Sequence, residues 1–429
     1  MNKKILFLPI IFCFPAFANA ASIQATLKPA TLSMQQAIKE ALKRKPSIQA
    51  HQYAITDYKR QQQATLSPYL PNISLSEKFY NTSNSSSTKS AFGLQASQTI
   101  LSLSQQSYHK LYGSYVSSAR HSKESHIDEI RLATETAFLN AWLSQQKIKL
   151  IIKRYDSSKK TFVQVKKQHN LGLLDKNNWL KSQATHASNL ATVNSYKQEL
   201  AQTEKTLEYY TGLTLRLLPT HGNLQTKLIW EPEKKINLDN FKAYFDKALK
   251  NRKDLKIKQD TINSERYSSQ YYANQYIPSV SLFGSATKYT SRVASSSTSK
   301  EAGLQLSWNV FDGLSNYFHK QAAGARKMKA VLEKSDAVIK IKSEVQTAYT
   351  ALDAQQRTLS AQTISHEQSK NEFDLKKQQE SIGLISSVDL ETAKYSWQNS
   401  HYTWLSSAAS TALKTQELAY ACGYPQKGL

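Results

Sequence analysis

The sequence predicts a mainly α fold with a β-barrel segment, in which a unit of long-helix hairpins and paired strands is written twice. Three observations carry this. The chain has 429 residues but only 12 glycines and 10 prolines, too few turn residues for a compact all-β domain. The tracts between Gly113 and Gly172 and between Gly324 and Gly383 contain neither residue, as an uninterrupted helix requires. Finally, the chain repeats itself. Tyr69-Leu-Pro-Asn-Ile-Ser-Leu75 returns as Tyr276-Ile-Pro-Ser-Val-Ser-Leu282, and Ala41-Leu42-Lys43 returns as Ala248-Leu249-Lys250. Gly93-Leu94-Gln95, Leu171-Gly172-Leu173 and the Tyr209–Gly212 pattern return at Gly303, Ile382 and Tyr420. The register drifts by only a few residues along the chain, which marks a duplicated domain and not a short-period array.

The first 20 residues read as a secretory signal peptide. Lys3 and Lys4 precede the apolar run Ile5–Phe17, and Ala18-Asn19-Ala20 is a small-x-small cleavage site. The apolar run is shorter than a membrane span. Cleavage removes Cys13 and leaves Cys422 alone, so no intramolecular disulfide is expected and Cys422 reads as a small core residue. The first repeat then covers residues 21–212, a linker 213–236, the second repeat 237–424 and a tail 425–429.

Within each repeat the elements follow in one order. A helix is expected over about Thr31–Ser67, and again over about Leu238–Gln275. Pro68 and Pro71, or Pro278, stop it. Ile73, Leu75 and Phe79 alternate with polar residues, as do Phe92, Leu94 and Ala96 on a return strand, the signature of half-buried strands. In the second repeat Val280 and Leu282 face a return strand of Leu304, Leu306, Trp308 and Val310. The connections, Asn81–Lys89 and Ser291–Lys300, are rich in Ser and Thr and read as exposed loops.

A long helical stretch follows each strand pair, about Leu103–His169 and Leu314–Glu380. A heptad frame runs through it from Ile127, Ile130 and Thr134 to Phe162 and Val165, and from Val338, Ile341 and Val345 to Phe373. Its seam mixes large apolar residues with Ala, Ser and Gln, weak by coiled-coil standards. At 1.5 Å per residue such a helix reaches about 100 Å; the alternative is two stacked helices broken near Gly113 and Gly324. Turns at Leu171-Gly172-Leu173 and Ile382-Gly383-Leu384 send returning helices back over about Leu174–Tyr210 and Ile385–Ala421.

No catalytic constellation is present. Gly-x-Ser-x-Gly, phosphate-loop and His-Glu-x-x-His patterns are missing, and the 10 histidines are scattered, so neither an enzyme nor a metal or cofactor site is expected. The net charge of +24 invites a nucleic-acid reading, which export argues against.

The strands carry the functional argument. Each has about the 9–11 residues that an outer-membrane strand needs, with Phe79, Tyr80, Tyr289, Trp308 and Phe311 near the ends, where an aromatic girdle lies. Four transmembrane strands per chain cannot close a barrel, and open edges are not viable in lipid. Three chains would supply a 12-stranded barrel continued by an α-helical tunnel. A trimeric coiled-coil scaffold or adhesin without a pore is the alternative. It shares the heptads but leaves the two embedded hairpins unexplained; cysteine labelling at Ser86 and Ser296 separates the two, since only the duct places both loops outside the cell.

At this point the residues resemble a known family. The Tyr-(Leu/Ile)-Pro-x-(Ile/Val)-Ser-Leu strand entries at Tyr69 and Tyr276, with Pro71 and Pro278, the run Gly303-Leu-Gln-Leu-Ser-Trp-Asn-Val-Phe-Asp-Gly313, and the two x-Gly-Leu turns followed by helices are similar to those of TolC-like outer-membrane efflux proteins. The resemblance covers about Thr31–Tyr424. It implies a homotrimer in outer-membrane lipid with most of each chain in the periplasm. The trimer would act as a passive exit duct for efflux or type I secretion, docked on a periplasmic adaptor (membrane fusion protein) bound to an inner-membrane pump. It further implies that the tip turns Leu171, Gly172, Leu173, Ile382, Gly383 and Leu384 meet the adaptor. A periplasmic gate is implied just beyond the second turn. Asp389 takes the family's acidic position, whereas a second acidic position reads Thr392, the equivalent in the first repeat is Asn178, and the family's arginine reads Ile385. The familiar latch is therefore not preserved. Asp389 also reads as an ordinary helix N-terminal carboxylate. Glu391, beside Thr392, is expected on another face. Many residues of the basic run Lys147, Lys149, Lys153, Arg154, Lys159, Lys160, Lys166 and Lys167 are expected to face the outside of the tunnel.

Overall fold

The computed structural model describes residues 31–80, 89–220, 223–224, 226–232, 238, 240–291, 296–385 and 387–423. The expected signal peptide, the tip of the first strand connection and the tail lie outside the described residues.

Each repeat opens with a pair of short helices instead of the single helix expected. In the first, β1 (Thr31–Ser33) leads into α1 (Met34–Arg44), whose start is closed by a reciprocal cap. The Gln36 amide donates to Ser33 Oγ at 3.3 Å, and the Ser33 amide donates to Gln36 Oε1 at 2.9 Å. The chain breaks at Lys45, extended at ψ 115° because Pro46 follows, and resumes as α2 (Pro46–Ala64).

The second repeat likewise opens with α5 (Phe241–Asn251) and α6 (Lys253–Asn274), broken at Arg252 without any proline. Tertiary packing explains that break. Gly423 presses on it so closely that a Cβ there would lie 2.7 Å from the Arg252 backbone nitrogen. Arg252 Nη1 donates to the Ala421 carbonyl at 3.3 Å. The first repeat has the same joint, with Arg44 donating to the Gly212 carbonyl at 3.4 Å and Lys45 to the Tyr209 carbonyl at 3.1 Å.

Four strands form one antiparallel sheet in the order β2 (Asn72–Tyr80), β3 (Lys89–Leu101), β7 (Ser279–Ser291), β8 (Ser297–Ser307). Pro71 and Pro278 each stand directly before a strand. The two hairpins join through β3 and β7, with Leu94 opposite Ala286. The second return strand stops at Ser307, short of the expected Trp308 and Val310. The Trp308 indole donates to the Tyr276 carbonyl at 2.9 Å, and Gly313 and Leu314 turn the chain through positive φ into the next helix. The second loop is also shorter than expected, because Ser297–Lys300 already pair within the sheet.

The long helices are continuous. α3 (Leu103–Asn170) and α7 (Ser315–Ser381) run 68 and 67 residues, about 100 Å each, and neither breaks at Gly113 or Gly324. Every heptad position of the frame is buried or half-buried. α4 (Lys176–Thr211) returns along α3, and α8 (Ser387–Ala421) along α7. α3 is the common wall: it packs on α2 and α6 toward the sheet, and on α4 and α8 toward the turns.

The expected linker is part of the core. Leu213, Leu215, Leu217, Leu228 and Trp230 are buried with Phe138, Leu139, Trp142 and Leu200. The strands β4 (Pro219–Thr220) and β5 (Asn223–Leu224) pair locally, and β6 (Lys227–Ile229) pairs in parallel with β1. Gln145 on α3 holds this segment, donating to the Thr226 carbonyl at 2.9 Å and accepting from the Leu228 amide at 3.1 Å. Leucine-rich alternation in a stretch bounded by Pro and Gly was the available signal. A second core gathers Tyr244, Ala248, Ile341, Val345, Leu352 and Leu418 around Cys422. Burial pushes the Cys422 thiol up to about 11, so it is an inert core residue there.

Candidate functional site

The sheet has two chemically different faces. Directly paired residues share a face. One face carries Ile73, Leu75, Leu94, Leu282, Leu304 and Leu306; the other carries Ser74, Ser76, Gln95, Ser285, Thr287 and Gln305. The apolar face is open to the surroundings: Leu75, Leu304 and Leu306 are 64%, 68% and 68% exposed. Phe79, Tyr80 and Tyr289 lie at the loop end of the sheet, while Trp308 and Phe311 lie past its helix end. β2 and β8 are its open edges.

At the opposite end of the molecule the two turns are duplicates. Gly172 and Gly383 adopt φ of 75° and 76°. In each, the residue after the glycine donates back to the last helical turn, Leu173 to the Gln168 carbonyl and Leu384 to the Gln379 carbonyl, both at 2.9 Å. The glycine itself donates to His169 or Glu380. This is the six-to-one closure that favours glycine in the left-handed region. It leaves Leu171, Leu173, Ile382 and Leu384 projecting, each at least 64% exposed. Such a pair of apolar knuckles on a polar stem suits docking to another surface.

Beyond the turns, the residues expected at the gate divide between two helices. Asn178 is exposed at the base of α4, where its amide donates to Asp175 Oδ1 at 2.8 Å, so Asp175 is the carboxylate that starts this helix. Ile385 precedes α8, Asp389 is in its first turn, and Thr392 follows one turn on. Because α3 lies between α4 and α8, the Asn178 position and the Ile385–Asp389–Thr392 group stand on either side of it.

The contact that sequence reasoning missed is Glu391. It faces α3, where Ser157 Oγ donates to its Oε1 at 2.6 Å. Lys394 Nζ stands 3.7 Å away. Burial works against the Glu391 charge, but hydrogen bonds from Ser157 and Tyr395 together with Lys394 outweigh it and hold the carboxyl below its ordinary value. Upward along the seam, Arg154 lies over the Tyr395 ring at 5.2 Å, and Lys147 sits between the Tyr196 and Tyr402 rings at 4.4 and 4.8 Å. α3 and α8 thus meet through cations on aromatic faces. Lys147 and Lys149 are half-buried in this region, whereas Lys153, Arg154, Lys159, Lys160, Lys166 and Lys167 are exposed. The spacing of Tyr395 and Tyr402, one heptad apart opposite Arg154 and Lys147, was the signal available in the sequence.

Among the described residues no three His, Cys, Asp or Glu side chains gather as a metal site, and no helix is long and apolar enough to cross a membrane.

The arrangement of a four-stranded sheet set on duplicated helical hairpins is shared with solved outer-membrane channels. The fold matches the Campylobacter jejuni CmeC outer membrane channel at a TM-score of 0.71, with 16% identity over 92% of this chain and 87% of that one. It matches the Vibrio cholerae outer membrane protein VceC at 0.67, with 13% identity over 91% and 96%. The open Neisseria gonorrhoeae MtrE channel matches at 0.69, with 15% identity over 91% and 89%. No curated protein matches the sequence. Residues 244–423 match the family model for outer membrane efflux proteins. The second repeat therefore carries an outer membrane efflux protein domain, and the chain as a whole shares the fold of these channels.

Proposed function

We propose that this protein is the outer-membrane exit duct of a tripartite efflux or type I secretion system, a passive channel from periplasm to exterior. The observation that carries the reading is the sheet, apolar on one face, polar on the other and open at both edges. An apolar face this exposed suits lipid, and unpaired edges in lipid require further copies. Three chains close a 12-stranded barrel whose polar face lines the pore, and the helices below it continue as a tunnel. A homotrimer exported by a cleaved signal peptide follows from this reading.

The apolar knuckles at residues 171–173 and 382–384 are the surfaces offered to a periplasmic adaptor bound to an inner-membrane pump. The gate group Ile385, Asp389 and Thr392 on α8, with Asn178 on α4, narrows the periplasmic mouth, and the Ser157–Glu391 hydrogen bond latches α8 to α3. Energy comes from the pump, so the duct needs no catalytic residue. Envelope fractionation and planar-bilayer recording test the reading together: an outer-membrane trimer with ion conductance is expected, and a monomeric periplasmic protein, or a trimer without conductance, overturns it. The second outcome is the one that a non-porous coiled-coil scaffold would give.

A further inference from the structure

A groove of about 280 Å³ runs between α3 and α8 above the latch, lined by Lys149, Lys153, Trp397, His401, Tyr402 and Leu405, with no carboxylate in its wall. Its charges are unbalanced. Lys149 is half-buried, and burial, then Lys227 and Lys153, push its ammonium below the ordinary value. No ion pair of either groove lysine occurs among the described residues, whereas a buried charge is ordinarily paired. The carboxylate that acts on Tyr402 is Glu199 on α4, which accepts from the Ser144 hydroxyl at 3.3 Å.

The other polar groups also suit an anion. The Trp397 indole N–H is buried without a hydrogen-bond partner, and its ring lies flat on Phe373 at 5.2 Å and 4°. His401 Nδ1 is 3.4 Å from His366 Nε2; in the tautomer where His401 Nδ1 accepts, its Nε2 carries the proton and can donate. Trp397, Tyr402 and Leu405 give the groove apolar walls around this cationic centre.

We propose that this groove binds a small amphipathic organic anion, a carboxylate or sulfonate on an aromatic or aliphatic body. Lys149 and Lys153 take the charge, and Trp397 and Tyr402 flank the body. The site lies within one chain, so it stands independently of ring closure and of the duct reading.

The probe is naphthalene-2-sulfonate, titrated calorimetrically into the full chain in a non-ionic detergent, with empty micelles and the uncharged 2-naphthalenemethanol as controls. One sulfonate per chain is expected, binding better than the alcohol. The Lys149→Gln/Lys153→Gln variant should lose about ten-fold or more in affinity, the scale of a hydrogen bond to a charged group. Lys153→Gln alone, at an exposed position, should lose less and keeps the test informative if the double variant misfolds. Absence of sulfonate binding, equal binding of the alcohol, or unchanged affinity in the folded variants overturns the proposal.

Discussion

Ser157 on α3 donates to Glu391 on α8 at 2.6 Å, across 234 residues of sequence. The two repeats meet here near the turns, where the helices have no sheet to hold them. A single hydrogen bond between them contributes about 0.5–1.5 kcal/mol. Ser157→Ala should therefore raise the open-to-closed ratio of the reconstituted channel by about 2- to 10-fold. Single-channel recording reads this directly; a variant with unchanged open probability removes Ser157 from the latch.

The same bond sets a pH dependence. Glu391 is held below its ordinary value of 4.5 in the folded chain. Its stabilising effect is then fully present above pH 4.5 and is lost as pH falls through the lowered folded value. Conductance should rise on acidification in that window, and Glu391→Gln should remove the response while raising the conductance at neutral pH.

His401 sets a second dependence, at higher pH. Burial, and then the neighbouring His366, lower its value from 6.5. A histidine with a depressed value is held neutral in the fold, so its environment favours folding above pH 6.5 and loses that advantage as pH falls through the lowered value. Amide exchange in α7 and α8 near these residues should quicken between pH 7 and pH 5, and His401→Gln should flatten the change.

Two glycines with the same backbone angle should respond differently to alanine. At Gly383 a Cβ would meet nothing within 4 Å, so only the positive φ is strained, about 1–2 kcal/mol. At Gly423 the Cβ would also strike the Arg252 backbone, and a loss of more than about 3 kcal/mol is expected. Thermal unfolding of the two variants compares them; equal shifts would contradict the close joint between α8 and the α5–α6 break.

The sheet faces give the sharpest test of lipid exposure. Leu304→Arg on the apolar face should destabilise the inserted protein by about 2–4 kcal/mol near the bilayer midplane. Ser285→Arg on the polar face should be tolerated and alter ion selectivity. Folding into vesicles and bilayer recording distinguish them, and equal tolerance of both would exclude a lipid-facing barrel.

Much of the helix and strand plan was legible in the sequence, because duplication and periodicity are local signals. Offsets near 207–211 aligned the repeats, the absence of Gly and Pro foretold helices of 68 and 67 residues, and Gly172 and Gly383 marked the turns. Alternation grouped Ile73 with Leu75 and Phe92 with Leu94 within their own strands; the pairing of Leu75 with Leu94 put the two groups on one face.

Long-range packing decided the rest. The break at Arg252 has no sequence mark, since a distant glycine pressed against it makes the space. Residues 213–217 read as a linker because nothing nearby shows that Gln145 and the α3 core await them. The partner of Glu391 had no mark in the sequence, because Ser157 belongs to the other repeat. The half-burial of Lys149 likewise comes from distant parts of the chain packed on α3, since residues of α8 share its groove and Lys227 of β6 acts on its charge. Periodicity assigns a residue to a face of its own helix; only the tertiary structure decides what that face meets, and charge, burial and hydrogen bonding all depend on the answer.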